Sequence, residues 1–66
     1  MIKYDRLWKL VKKKDISQYK LLQSGISHST LMRLKKNQSV NVETIDKLCS
    51  ILNCRVEDVM EYTPEE

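Results

Sequence analysis

The stretch "GISHSTLMRLKKN", residues 25–37, carries the side chains with the clearest chemical capacity in the chain. At helical spacing, Leu31 and Leu34 share one side. Ser29, Met32, Arg33 and Lys36 fall roughly opposite, with His28 at the edge. No carboxylate interrupts the stretch. Hydroxyl, imidazole, guanidinium and ammonium groups without an acid among them suit hydrogen bonding to an anionic, acceptor-rich surface. They do not suit nucleophilic catalysis: no Cys, Ser or carboxylate partner is arranged locally around His28. Cys49 and Cys54, with the single histidine far off in sequence, do not make a zinc set and read as reduced thiols. The expectation is a binding protein and not an enzyme, with no catalytic residue, no metal, no cofactor and no small-molecule ligand.

The bulk properties agree. A chain of 66 residues is one domain, and at that size it buries only about 60% of the surface its unfolded form exposes. That leaves little room for a deep cleft. Apolar residues make up 41%, with one Gly and one Pro, a composition that fits an all-α domain. No apolar run is long enough for a membrane span or a secretory signal, so the expected compartment is the cytoplasm. The net charge of +3 is unevenly spread. Residues 1–36 hold ten Lys/Arg against Asp5 and Asp15, net +8. Residues 37–66 hold Lys47 and Arg55 against seven acids, net −5. The first half suits a polyanion; the second suits water or a protein partner. The run Lys12-Lys13-Lys14 reads as a solvated helix end, where cations oppose the macrodipole.

The elements that position these groups are marked by one recurring pattern: an apolar residue, a cap, then a second apolar residue five positions after the first. It occurs as Ile2…Leu7, Ile16…Leu21, Ile26…Leu31, Val40…Ile45 and Cys54…Val59, the spacing of a hydrophobic staple. The intervening caps are Lys3, Ser17, Ser27, Asn41 and Arg55, of which only Ser and Asn can accept a first-turn N–H. Gly25, Asn37 and Asn53 suit left-handed helix ends, and Pro64 ends or follows the last helix. The spacing predicts five helices over about 3–14, 18–24, 28–36, 42–52 and 56–62, then a short acidic tail over 63–66. Helix 1 offers Tyr4, Leu7, Trp8 and Val11 to the core, helix 4 offers Ile45, Leu48, Cys49 and Leu52, and helix 5 offers Val56, Val59 and Met60. Trp8 and Tyr19 read as core or core edge. No stretch alternates as a strand.

Helices 2 and 3, joined by Ser24-Gly25-Ile26-Ser27, form a helix-turn-helix. From this point residues 16–60 resemble the Cro/CI-type (XRE-family, lambda-repressor-like) helix-turn-helix domain. The resemblance rests on "SGISHSTLMRLKKNQ" and "VNVETIDKLCSILNCRVEDVM". Gly25, Ile26, Ser27, Leu31 and Leu34 match turn and core positions, and "TIDKLCSILNC" matches the fourth helix. The chain departs from the pattern at Leu21, where the family has a small alanine, at Lys20, where it has a large apolar residue, and at Asn37, where it has glycine.

The resemblance implies a compact five-helix bundle that binds double-stranded DNA as a transcriptional regulator, with helix 3 in the major groove and two copies on adjacent half-sites. It places base contacts at His28, Ser29 and Arg33, with Met32 beside them. It places phosphate contacts at Ser17 and Gln18, and at Ser27, Lys36, Gln38, Ser39 and Asn41. It puts a self-contact in the region of helix 5, at Arg55, Val56, Val59 and Tyr62. Each assignment has a plainer counterpart: Met32 as a packing residue, His28 as a solvent-facing neighbour of a cap, and Ser17, Ser27 and Asn41 as caps first. Two other functions stay open. One is a helix-turn-helix module that binds a protein, such as a toxin or polymerase subunit. The weaker one is a membrane-surface role for basic, amphipathic helix 1.

Overall fold

A computed structural model describes residues 1–64. The elements run β1 (Ile2–Lys3), α1 (Asp5–Lys13), α2 (Gln18–Gln23), α3 (His28–Lys35), α4 (Val42–Leu52), a one-turn 3-10 helix (Val56–Asp58) and β2 (Glu61–Tyr62).

The three accepting caps act as their chemistry requires. Ser17 Oγ accepts from the Lys20 N–H at 3.1 Å, Ser27 Oγ from Thr30 N–H at 3.2 Å, and Asn41 Oδ1 from Thr44 N–H at 2.8 Å. Gly25, Asn37 and Asn53 are left-handed, with φ of 108°, 56° and 51°. So is Asp15 at 54°, directly after the run Lys12-Lys13-Lys14. Each of the four closes its helix with the same long bond. Ile16 N–H donates to Val11 O at 3.0 Å, Ile26 N–H to Leu21 O at 3.1 Å, Gln38 N–H to Arg33 O at 2.9 Å, and Cys54 N–H to Cys49 O at 3.1 Å. This is the Schellman closure, in which the residue after the left-handed one turns back over the last helical turn. Ile16 and Ile26 therefore have two positions at once. Each follows one helix as its closing apolar residue and precedes the cap of the next. Connectors this tight are possible because one side chain serves both ends.

The core consists of Tyr4, Leu7, Val11, Leu21, Ile26, Leu31, Leu34, Ile45, Leu48, Leu52 and Val59, with Trp8, Ile16, Val40, Cys49, Cys54 and Met60 packed at its margin. Leu21 is fully enclosed. The position that the family fills with alanine is here occupied by a larger side chain pointing inward. Tyr19 is 67% exposed and belongs neither to the core nor to its edge. On a six-residue helix whose inward position is Leu21, Tyr19 falls on the far side.

Among the described residues four α-helices form, not five. The segment expected as helix 56–62 makes one 3-10 turn and then extends, so that Tyr62 pairs with Ile2 and Glu61 with Lys3 in an antiparallel ladder. Met1 and Thr63 continue it with two 2.7 Å bonds. A seven-residue helix is marginal on its own, and here the extended segment finds backbone partners. The same pairing draws Lys3 out of helix 1 and into β1. Tyr4, not Lys3, stands at its N-cap, and Pro64 follows a strand instead of a helix. Of the acidic tail expected over 63–66, residues 65 and 66 lie outside the described residues.

Candidate nucleic-acid interface

α3 is held from behind by Leu31 and Leu34, which are 2% and 0% exposed. In front, His28, Ser29, Met32, Arg33 and Lys36 are all exposed. Between Asp15 and Glu43 the chain has no carboxylate, so α2, α3 and the loop after them present only neutral and cationic side chains. The one ion pair among the described residues lies elsewhere. Arg6 Nε meets Glu61 Oε2 at 3.2 Å, and Arg6 Nη1 donates to Glu57 O at 3.1 Å, which engages that cation with the 3-10 turn and β2.

The structure brings one group of the expected contact residues together. Ser29, Arg33, Ser39 and Asn41 line an open groove of about 460 Å³ between α3 and the start of α4, with Thr30, Val40 and Thr44 completing the wall. Arg33 Nη1 reaches Ser39 O at 3.5 Å, the outer limit of a hydrogen bond, so the guanidinium leans toward the loop while staying exposed. Thr30 and Thr44 carry no site signal in the sequence, because a threonine three residues after a cap reads only as helix. Here Thr44 Oγ1 donates to Asn41 Oδ1 at 2.7 Å. Asn41 Oδ1 thus accepts twice, and its NH2 stays free to donate. Gln38 lies on the other side of the loop, beside Met1, Ile2 and Tyr4. Ser17 and Gln18 are exposed at the start of α2, with Ser17 acting as the cap.

Asn37 does more than replace a helix-ending glycine. Its Oδ1 accepts from Tyr4 N–H at 3.0 Å, across 33 positions of sequence. The end of α3 is thereby fastened to the start of α1, beside the terminal strand pair.

The expected self-contact is divided. Arg55 is exposed, Val56 is 54% exposed and Tyr62 is 70% exposed, but Val59 is fully enclosed and has no surface to offer. It anchors the 3-10 turn to the core. Val56 instead joins Val42, Ile45 and Cys49 in a shallow apolar groove of about 420 Å³ flanked by Glu43 and Asp46. Cys49 and Cys54 are both free thiols. Burial, then the adjacent Cys49, raises the Cys54 thiol above its ordinary value. Among the described residues no three His, Cys, Asp or Glu side chains gather as a metal site, and no helix is long and apolar enough to cross a membrane.

A capped, acid-free helix with a buried back, set behind a left-handed glycine turn, defines a helix-turn-helix nucleic-acid-binding domain. The chain belongs to the Cro/C1-type helix-turn-helix DNA-binding domain family, whose model matches residues 6–65. Among solved structures it is similar to the transcriptional regulator VanUg (crystal form II), with 35% identity and a TM-score of 0.88 over 97% of this chain and 87% of that one. A comparison with curated proteins gives no match.

Proposed function

We propose that this protein is a sequence-specific, double-stranded DNA-binding transcriptional regulator of the cytoplasm that places α3 in the major groove and acts as a dimer. The observation that carries the reading is the exposed row His28, Ser29, Met32, Arg33 on a helix whose opposite side is sealed in the core. A groove about as wide as one helix admits such an element. Arg33 is the strongest base-reading side chain, since its fork matches O6 and N7 of guanine. Ser29 reaches a neighbouring base edge, and Met32 suits a thymine methyl. Ser17 and Gln18 at the start of α2, and Lys36, Gln38, Ser39 and Asn41 at and after the end of α3, are the groups that hold phosphates.

One small domain makes few base contacts, so two copies on half-sites about 34 Å apart supply the affinity. The exposed Val56 and Tyr62, with Arg55, are the surface for the second copy. The role is binding and not catalysis, with no cofactor and no small ligand.

Protein recognition is the second reading, favoured by the apolar groove beside Val42, which is 82% exposed, and by the acids that flank it. A salt titration with random duplex DNA separates the two. DNA binding predicts that log K falls with log salt by about 0.9 per phosphate neutralised. Negligible duplex binding in dilute salt would overturn the first reading in favour of the second. Selecting bound sequences from a random duplex pool then gives the half-site and any palindrome.

A further inference from the structure

The start of α3 contains a hydroxyl cluster whose protons can be assigned by counting. A serine hydroxyl has one hydrogen to give and two lone pairs. Ser27 Oγ lies 2.8 Å from Thr30 Oγ1 and donates to it. It accepts from Thr30 N–H at 3.2 Å. Its remaining neighbour is Ser29 Oγ, also at 3.2 Å. Since the one Ser27 proton is on the Thr30 bond, Ser29 must be the donor in the Ser27–Ser29 bond. Two consequences follow. Ser27 is saturated, so the phosphate contact expected of its hydroxyl is not open to it while it caps α3. And Ser29, exposed on the groove-reading side, has its own proton turned back toward the protein. What it shows outward is lone pairs.

Resting on the DNA reading above, we propose that Ser27 holds Ser29 as a hydrogen-bond acceptor, so that Ser29 selects a base with an exocyclic amino group in the major groove. Adenine N6 and cytosine N4 are the donors there; guanine O6 and N7 and thymine O4 are acceptors. On the strand it faces, Ser29 therefore favours adenine or cytosine over guanine or thymine. Turning Ser29 into a donor breaks its bond to Ser27, so the preference is worth one exposed hydrogen bond, roughly tenfold or less. Ser27 is a positioning residue in this arrangement and touches no base.

The test compares selected half-sites for the wild-type protein, Ser29→Ala, Ser27→Gly and Ser27→Asn. In the wild type, one base pair is selected in one orientation, and Ser29→Ala loses the preference there alone. Ser27→Gly keeps a tolerable cap but frees the Ser29 hydroxyl, which flattens the same position while others persist. Ser27→Asn restores an accepting oxygen and with it the preference. A Ser27 that served only as a cap would instead weaken every sequence equally. As a direct probe, purine in place of adenine, or 2-pyrimidinone in place of cytosine, removes only the amino group. The wild type then loses up to about tenfold in affinity, the worth of that bond, and Ser29→Ala loses nothing. Wild-type affinity that stays unchanged when the amino group is removed from that base pair overturns the inference, as does sequence-selective binding that Ser29→Ala leaves unchanged. Absence of any duplex binding overturns the DNA reading itself, and this inference with it.

Discussion

Replacing Asn37 should separate two things that one side chain does. Its backbone holds φ at 56°, and its Oδ1 accepts from Tyr4 N–H at 3.0 Å. Tyr4 is only 3% exposed, so its amide has little recourse to water if that acceptor is removed. Asn37→Gly keeps the left-handed turn without strain and removes the bond. Leaving a largely buried donor unpaired costs about 1–3 kcal/mol, and the freer unfolded chain adds somewhat less than about 1 kcal/mol. Asn37→Ala removes the bond and also loses the local side-chain hydrogen bonding that lets asparagine adopt the left-handed region, so that against Asn37→Gly it bears the left-handed Cβ cost of about 1–2 kcal/mol. Asn37→Asp keeps both the acceptor and the tolerance for that conformation, and should stay within about 1 kcal/mol of wild type, the size of a like-signed charge at a helix end. For a domain of this size each kcal/mol shifts Tm by about 4–8 °C. Thermal unfolding followed by circular dichroism should therefore rank the variants wild type, Asp, Gly, Ala from most to least stable. Hydrogen exchange reports the same bond locally, and the Tyr4 amide should exchange faster in Asn37→Gly than in Asn37→Asp. An Asn37→Gly protein as stable as wild type, with Tyr4 equally protected, would refute the claim that this bond fastens α3 to α1.

Arg33→Ala should relax base preference at one position at a cost of about 1–3 kcal/mol, while Lys36→Ala should weaken all sequences alike and reduce the salt slope by about one; selection profiles and salt titrations measure both. Leu34→Ala empties a fully enclosed site behind α3 and should cost about 2–5 kcal/mol, seen as a large fall in Tm together with loss of binding to every duplex. Val56→Asp should leave binding to a single half-site intact and remove cooperativity on paired half-sites, as read by gel shift on one-site and two-site duplexes. The Cys54 thiol is raised in the folded state, first by burial and then by Cys49. The folded form thus holds that proton more tightly. The associated stability is complete below the ordinary thiol range near about 8.5 and is lost as pH rises through the raised folded value. The urea midpoint should fall more steeply above about pH 8.5 in wild type than in Cys54→Ala, in which that titration is gone.

The sequence by itself determined the helix borders from Ser17 to Asn53. Each depends on groups within about five residues: a hydroxyl or amide that reaches the first turn, a left-handed Gly or Asn, and an apolar residue beside the cap. The exposed row His28, Ser29, Met32, Arg33 follows from the same local geometry, because Leu31 and Leu34 fix which side of α3 faces inward. The left-handed Asp15 was equally local, and the lysines before it hid its resemblance to the other three helix ends.

Only the tertiary structure decided the rest, because it turns on partners far apart in the chain. Residues 61–62 are strand and not helix because Lys3 and Ile2 lie beside them and pair with them through their backbone groups. Val59 is core and Tyr19 is surface because of what packs, or fails to pack, against them. Asn37 binds Tyr4 because the fold closes a separation of 33 residues. A periodic pattern says which side of an element is apolar, but the encounter that completes a bond across such a distance exists only once the core has formed.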